Sequence, residues 1–139
     1  MQNKNLIVVG GLIVKDDKLL ICQRSLNSEH PLKWEFPGGK VKFQEEPSMA
    51  LQRELKEELK VIIKKSTYLC DYEFEYKNLG KKLRLFFFLV TEFIGDISIT
   101  IHKQLKWIEL KQLSDYDFLE GDHYIIQKIL KNELKIYRS

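Results

Sequence analysis

The sequence has few cysteines and no long apolar runs, and each shortage excludes a class of protein. Its 139 residues contain two cysteines, Cys22 and Cys70, whose wide spacing suits neither a zinc site nor a disulfide framework. We therefore expect both to be reduced core residues. No apolar run approaches the roughly 20 residues of a membrane-spanning helix, and the apolar stretch 6–9 is too short for a signal peptide. These absences predict a cytoplasmic protein without a membrane partner.

The chain also lacks a strong excess of charge of either sign. Its formal net charge of +3 is too small for a protein that coats polymeric nucleic acid, although a mildly basic surface still attracts a small anion. With 44% hydrophobic and 31% charged residues, the composition is that of a globular protein and not of a disordered one. The length predicts one domain, residues 1–139, and leaves monomer and homodimer open.

The sequence contains a series of strand patterns interrupted by two helices. Helical periodicity predicts one helix at Pro47–Leu59 and a final helix from about residue 122 to residue 130. Strands that do not alternate regularly with helices predict an α+β fold in which the helices pack on a mixed sheet. The predicted strands are residues 6–14, 18–23, 68–76, 82–93 and 107–108.

The first predicted helix carries three glutamates on one face. Glu54, Glu57 and Glu58 stand at i, i+3 and i+4, and Glu45 lies in the loop ahead of the helix. Like-charge neighbours on a helix cost about 0.2–0.5 kcal/mol per pair, and a hard dication such as Mg²⁺ removes that repulsion while it also binds phosphates. Arg53 is placed to orient a carboxylate or to reach a phosphate. The alternative is a solvated helix face with ion pairs such as Arg53–Glu57.

The spacing of this segment resembles the motif of a known enzyme family. The Nudix box of the Nudix hydrolases runs Gly, five residues, Glu, seven residues, Arg-Glu, an aliphatic residue, one residue, Glu-Glu, one residue, Gly and an aliphatic residue. Lys60 stands in place of the last glycine, so we expect either a left-handed Lys60 at a cost of about 1 kcal/mol or a different helix end. The matching positions are Gly39, Glu45, Arg53, Glu54, Leu55, Glu57, Glu58 and Val61.

The segments around the box resemble the MutT-like nucleotide pyrophosphohydrolases of this family. The similar segments are residues 22–24, 34–40, 107–108 and 118–122. The resemblance implies an α/β/α sandwich with a mixed β-sheet. It also implies Mg²⁺-dependent hydrolysis, with Mn²⁺ as the alternative metal, of ordinary or oxidised nucleoside triphosphates to a nucleoside monophosphate and pyrophosphate.

The resemblance further implies roles for residues of the box. The implied metal ligands are Glu54, Glu57, Glu58 and the carbonyl of Gly38. Glu57 and Glu58 are also implied to be catalytic, with Arg53 and Glu45 in support.

One departure from the family touches catalysis. In MutT-like proteins a loop glutamate, which binds metal or acts as base, stands where this chain has Ile101. We expect the neighbouring His102 to be a surface residue, and the identity of the base stays open between Glu57 and Glu58.

Further residues are candidates for contacts with the substrate. Arg24 and Lys40 are candidates for the phosphates, with ordinary surface cations as the alternative. The aromatic residues Phe36, Tyr72 and Phe74 either line a base pocket or pack in the core. Asp122 matches the position where the family reads the edge of the base, and its alternative role is to cap the last helix.

Two other functions stay open at this point. One is a Nudix hydrolase of another nucleoside diphosphate-linked substrate. The other is a catalytically weak nucleotide-binding regulatory module, which Ile101 and Lys60 favour and the intact glutamates disfavour.

Overall fold

A computed structural model describes residues 5–136 of the chain. In this range there are two α-helices, α1 (Pro47–Leu59) and α2 (His123–Leu130), and three 3-10 helices, Lys77–Leu79, Leu110–Asp115 and Glu120–Asp122. The strands are β1 (Asn5–Lys15), β2 (Lys18–Gln23), β3 (Trp34–Glu35), β4 (Gly38–Lys40), β5 (Ile62–Tyr76), β6 (Lys81–Ile94) and β7 (Gln104–Ile108).

The strands form a mixed sheet in the order β3-β2-β1-β6-β5. β1 and β6 run parallel, from the pair Asn5–Lys82 to the pair Ile13–Val90, and the other pairings are antiparallel. β4 pairs with β1, and β7 pairs with β2 on the side opposite β3. The predicted α+β class with a mixed sheet is therefore confirmed.

The two α-helices pack against separate hydrophobic clusters. Successive side chains of a strand point to opposite faces of a sheet, so β1 contributes Ile13 to the cluster of α1 and Leu12 to the cluster of α2. Leu55 of α1 and Ile125 of α2 are fully buried in these two clusters. The arrangement is the predicted α/β/α sandwich, and it presents one face of α1 to the end of the sheet where β4 lies.

Helix α1 has the predicted bounds and a strained end. Pro47 occupies the first turn, where its missing N–H is harmless. Lys60 takes the left-handed conformation (φ 63°, ψ 33°) that the family reserves for glycine, so the first of the two expected outcomes is correct. This conformation costs about 1 kcal/mol for a residue with a Cβ atom.

Other predicted features have different bounds. Strand β5 begins at Ile62 and not at residue 68, and β7 begins at Gln104 and not at residue 107. Both cysteines are free thiols as expected, but only Cys22 is buried, because Cys70 is half-buried. No helix in residues 5–136 is long and apolar enough to cross a membrane.

Candidate active site

A cavity of about 460 Å³ lies at the end of the sheet where β4 meets α1. Gly38 and Gly39 bring the chain close to both neighbours: a Cβ atom on Gly38 would collide with the Val9 carbonyl oxygen, and one on Gly39 with the Glu54 carboxylate. Six residues predicted from the sequence line the cavity, namely Arg24, Phe36, Gly38, Lys40, Glu58 and Asp122.

Glu58 of α1 lines the cavity, and Glu54 lies next to it on the same helix. Glu58 is only 8% exposed. Its burial raises its pKa to about 9, with a hydrogen bond to Glu54 and the charges of Glu54 and Glu35 adding to the effect and a hydrogen bond from the Gly38 backbone opposing it. Holding Glu58 ionised therefore requires additional positive charge nearby.

Arg53 connects α1 to the loop that precedes it. Its Nε and Nη2 donate to the two carboxylate oxygens of Glu45 (2.9 and 3.0 Å), and Nη1 donates to Oε2 of Glu54 (2.7 Å). Nη2 also donates to the Lys40 carbonyl oxygen (3.0 Å). The hydrogen bonds from Arg53 and from the Lys42 backbone lower the pKa of Glu45 to about 2. Arg53 thus fixes one oxygen of Glu54 beside the cavity.

Glu57 lies farther from the cavity than the sequence analysis predicts. Its side chain is 60% exposed, and its Oε1 atom lies 3.8 Å from Nη1 of Arg53. Within residues 5–136, no three acidic, histidine or cysteine side chains are close enough together to hold a metal ion. The expected convergence of all three carboxylates is therefore wrong for this structure, because Glu54 stays beside Glu58 while Glu57 lies near Arg53 and is largely exposed. The roles of Glu54, Glu57 and Glu58 as metal ligands stay a prediction.

A chain of charged and polar side chains crosses the opposite wall of the cavity. Nη1 of Arg24 donates to Oε1 of Glu35 (2.9 Å), and Oε2 of Glu35 lies 3.0 Å from Nε2 of His102. The side chain of His102 is 2% exposed, so the expectation of a surface histidine is wrong. Arg24 and Glu35 line the cavity. Glu35 was not among the predicted site residues, although its position in the segment 34–40 was a usable signal.

Asp122 and Phe36 form the buried end of the cavity. Asp122 is 8% exposed. Burial raises its pKa well above the usual range and the charge of Glu35 adds to this, while a hydrogen bond from the Phe36 backbone and the charge of Arg24 oppose it. Although Asp122 precedes α2, its side chain makes no cap hydrogen bond to any described residue. Helix capping, the alternative role, is therefore wrong.

The aromatic lining differs from the predicted one. Tyr76 lines the cavity, and its ring lies 4.8 Å from the ring of His30 at an interplanar angle of 33°, whereas Tyr72 and Phe74 are not part of the lining. The hydroxyl of Tyr72 donates to the Gly121 carbonyl (2.7 Å), and the Gly121 N–H donates to the Tyr76 hydroxyl (3.2 Å). Tyr72 therefore supports the segment that carries Asp122. Tyr72, Phe74 and Tyr76 alternate along β5 and therefore share one face of the strand. This alternation was the signal in the sequence that could have identified Tyr76.

The loop before β7 is held against the last turn of α1. The Thr100 hydroxyl donates to the Glu58 carbonyl (2.7 Å), and the Ser98 N–H donates to the Leu59 carbonyl (2.9 Å). Ile101 in this loop lines the cavity and is 59% exposed. An isoleucine at this position adds neither a ligand for a metal nor a base to the cavity.

The site combines an acidic wall, two cations and a buried polar end within one cavity. Glu54 and Glu58 supply oxygen ligands of the kind that hard divalent cations prefer. Lys40 and Arg24 supply positive charge for an anion, and Asp122 supplies a hydrogen-bonding group in a desolvated place. This set can hold a divalent cation and a phosphorylated ligand with a polar, flat group.

Comparisons with known proteins agree with this geometry. The family model of the NUDIX domain matches residues 4–129. The 8-oxo-dGTP diphosphatase of Buchnera aphidicola subsp. Schizaphis graminum is 33% identical over 131 residues, covering 94% of this chain and 96% of the relative. The CTP pyrophosphohydrolase of Escherichia coli is 30% identical over 127 residues, covering 91% and 93%. The structure of a MutT NUDIX hydrolase from Burkholderia pseudomallei superposes with a TM-score of 0.83 at 24% identity, covering 91% and 99%. The chain therefore belongs to the Nudix family, as a MutT-like hydrolase.

Proposed function

We propose that this enzyme hydrolyses nucleoside triphosphates, ordinary or oxidised, to a nucleoside monophosphate and pyrophosphate with Mg²⁺ as cofactor. The observation that carries the proposal is that one cavity joins the acidic wall at Glu58 to the buried carboxyl of Asp122. Relatives named for the hydrolysis of 8-oxo-dGTP and of CTP support it. A cytoplasmic location and a monomeric or homodimeric state remain predictions from the sequence.

The donor set at the acidic wall fits a divalent cation, which Nudix hydrolases generally use. Glu54 and Glu58 face each other beside Gly38, and their mutual repulsion contributes to the raised pKa of Glu58. Glu54, Glu58, the carbonyl of Gly38 and, after a side-chain rotation, Glu57 would hold the ion. Oxygen-only donors favour Mg²⁺, with Mn²⁺ as the alternative. When bound, such an ion neutralises charge on the phosphates and acidifies a water molecule.

The other charged residues of the site position groups around the phosphate chain. Arg53 orients Glu54, and Glu45 keeps Arg53 in place. Lys40 and Arg24 line the cavity on either side of Gly38 and bind the negative phosphates. Hydrolysis between the α- and β-phosphates then leaves the monophosphate in the cavity and releases pyrophosphate. Glu57 and Glu58 remain the two candidates for the group that accepts the proton of water.

The buried end of the cavity recognises the base. Phe36 offers an aromatic surface, and such a surface stacks on any base. Asp122 supplies discrimination: when ionised it accepts from an exocyclic amine or a ring N–H, and when protonated it also donates one hydrogen bond. Guanine, oxidised guanine and cytosine all offer a matching edge, in agreement with the two relatives named above.

Ile101 supports a second candidate function, that of a nucleotide-binding module with weak catalysis. The loop that would carry an additional acid is held against Glu58 by Thr100, yet it presents an isoleucine to the cavity. Such a protein would bind the same ligands and release little product.

A product assay separates these functions. The protein is incubated with Mg²⁺ and 8-oxo-dGTP, dGTP, dCTP, CTP, ADP-ribose or a diadenosine polyphosphate, and the products are identified by chromatography. Monophosphate and pyrophosphate from a triphosphate support the proposal. Cleavage of ADP-ribose or of the dinucleotide alone assigns a different diphosphate-linked substrate. Binding without product supports the module. A Glu58→Gln variant prepared in parallel excludes a contaminating hydrolase.

A further inference from the structure

His102 is a buried histidine that the proposed chemistry does not use. Its side chain is 2% exposed, and it does not line the cavity. Its Nε2 atom lies 3.0 Å from Oε2 of Glu35. A histidine that is engaged in this way and shielded from the cavity is not placed to accept a proton from water, so its role must be exerted through Glu35.

The bond joins β3 to the loop that leads into β7, and β3 and β7 lie on opposite sides of β2. Glu35 belongs to β3 and pairs with Cys22 of β2, while His102 lies two residues before Gln104, the first residue of β7, which pairs with Gln23. The Lys103 N–H donates to the Gln23 carbonyl (2.9 Å) and continues this ladder toward His102. The backbone of His102 is therefore fixed by the sheet, and its ring is a rigid support for the carboxylate.

The hydrogen-bonding partners determine which ring nitrogen carries hydrogen. An ionised carboxylate only accepts hydrogen bonds, so Nε2 of His102 must be the donor. Nδ1 is buried and has no partner among the described residues. A buried N–H without an acceptor is costly, and Nδ1 therefore carries a lone pair. His102 thus donates from Nε2 to Glu35.

Glu35 transmits this constraint to Arg24. Its second oxygen, Oε1, accepts from Nη1 of Arg24 (2.9 Å), and Nε of the same guanidinium donates to the Glu29 carbonyl (2.8 Å). Two of the three nitrogens of Arg24 are therefore committed to the protein. Nη2 has no protein partner within residues 5–136, and Arg24 lines the cavity.

We propose that His102 is a positioning residue, which holds Glu35 so that Glu35 in turn holds the Arg24 guanidinium against the nucleotide. The inference rests on the proposed function to the extent that the cavity takes a nucleotide. Without the Nε2 donor, Glu35 is free to rotate about its side-chain bonds, and Arg24 loses the partner that fixes its plane. The lost contact lowers affinity and leaves the chemical step at Glu58 unaffected.

Substitutions at His102 test the proposal by their pattern. His102→Ala is expected to raise KM about tenfold with kcat within about twofold, the effect of losing a ground-state contact. His102→Gln places an amide N–H near the position of Nε2 and restores KM to within about threefold. His102→Asn, whose amide is one carbon shorter, does not restore it. Gln104→Ala is the matched control, because it removes the cross-strand bond from Gln104 to Gln23 (2.7 Å) without touching Glu35.

Coupling with Arg24 decides whether His102 acts through the guanidinium. Arg24→Ala should raise KM, and His102→Ala added to it should change KM by less than about twofold. Full additivity, or equal losses in the alanine and glutamine variants, overturns the proposal. If His102→Ala does not fold, the comparison of His102→Gln with His102→Asn decides in its place. The ¹⁵N spectrum of the wild-type His102 ring is a second test, because hydrogen on Nδ1 in place of Nε2 would overturn the proposal.

A binding measurement separates failure of this inference from failure of the proposed function. Titration with dGMP and with CMP, measured by calorimetry, needs no turnover. If no triphosphate is hydrolysed but the dissociation constants of the variants follow the pattern predicted for KM, the positioning role stands without the proposed function. If triphosphates are hydrolysed and neither KM nor the dissociation constants respond to Arg24→Ala, the proposed function stands and the inference is overturned.

Discussion

Arg53 and Glu45 form a two-point ion pair, with Nε–Oε2 at 2.9 Å and Nη2–Oε1 at 3.0 Å. The pair joins α1 to the loop between β4 and α1, and the same guanidinium reaches Glu54 (2.7 Å). A planar guanidinium matches a carboxylate at both oxygens. Arg53 therefore holds the loop, through Glu45, in a fixed position relative to the Glu54 carboxylate beside the cavity.

This ion pair predicts a contribution to stability that is lost in acid. The pKa of Glu45 is about 2 in the folded protein and 4.5 as its ordinary value. Because the folded pKa is the lower one, the contribution is complete above 4.5 and disappears as the pH falls toward 2. Glu45→Gln should therefore lower the free energy of unfolding at pH 7 and lower it less at pH 3, as measured by urea unfolding in EDTA. Glu46→Gln is the neighbouring control, and an equal effect of both variants would contradict the prediction.

Glu58→Gln should separate activity from stability. We expect kcat to fall by about 100-fold or more, whether Glu58 binds the metal or accepts the proton of water. The folded state holds the Glu58 proton up to a pKa of about 9, against an ordinary value of 4.5, so folding must take up a proton between these values and stability falls as the pH rises through them. The variant should accordingly unfold at equal or higher urea concentration at pH 8. Unchanged kcat would exclude Glu58 from the mechanism.

Ile101→Glu should increase activity. The loop places residue 101 at the cavity wall, where an added carboxylate supplies the acid that MutT-like proteins have at this position. We expect kcat to rise at least about tenfold under saturating Mg²⁺. Ile99→Glu is the matched control, because Ile99 is exposed to a similar extent in the same loop (54% against 59%). A rise in both variants, or in neither, would show that the position is not specific.

Asp122→Ala should change substrate preference more than the maximal rate. The carboxyl group is buried at the end of the cavity and contacts the Phe36 backbone, so its loss removes a polar group that distinguishes bases. We expect the ratio of kcat/KM between 8-oxo-dGTP and CTP to shift by about tenfold or more, a typical effect of one buried hydrogen bond. The exposed Glu120→Ala, two residues away, controls for loop disturbance. A constant ratio would remove Asp122 from base recognition.

Lys60→Gly should stabilise the protein. Lys60 adopts φ 63°, which glycine adopts without strain. The relief of about 1 kcal/mol is partly offset by the greater freedom of glycine in the unfolded chain, so we expect a net gain of about 0.5 kcal/mol. Lys56→Gly, in the interior of the same helix, should lose about 1 kcal/mol. Urea unfolding measures both variants, and a loss at both positions would contradict the interpretation of the helix end.

Sequence reasoning located the elements whose signals are local. Pro47 and the periodic leucines gave the bounds of α1, and the position of Lys60 in the box left a left-handed conformation as one of two expected outcomes, which is the one observed. It missed the start of β5 because Lys64, Lys65 and Ser66 are polar and exposed, so their strand structure depends on pairing with β6 and not on an apolar pattern.

At the site, the missed features depend on contacts between distant segments. A single histidine carries no signal of its surroundings, and His102 is buried only because β7 lies beside β2 and faces Glu35. Asp122 precedes a helix, which favours capping from sequence alone, but the nearby cavity wall and the bond between Tyr72 and Gly121 direct that segment inward. The spacing of the box placed Glu54, Glu57 and Glu58 on one face of α1, but it did not predict that the side chain of Glu57 would lie near Arg53 and stay exposed.

The sheet that separates the clusters of α1 and α2 also separates the residues that support hydrolysis from those that support the choice of base. Leu51 and Leu55 anchor the helix that bears the acids, whereas Phe36 and Ile125 belong to the opposite cluster beside the base end. Substitutions in the second cluster can therefore remodel the choice of base without moving the hydrolytic helix. Relatives can therefore diverge in base specificity through substitutions in the α2 cluster while the hydrolysis of the phosphate chain stays the same.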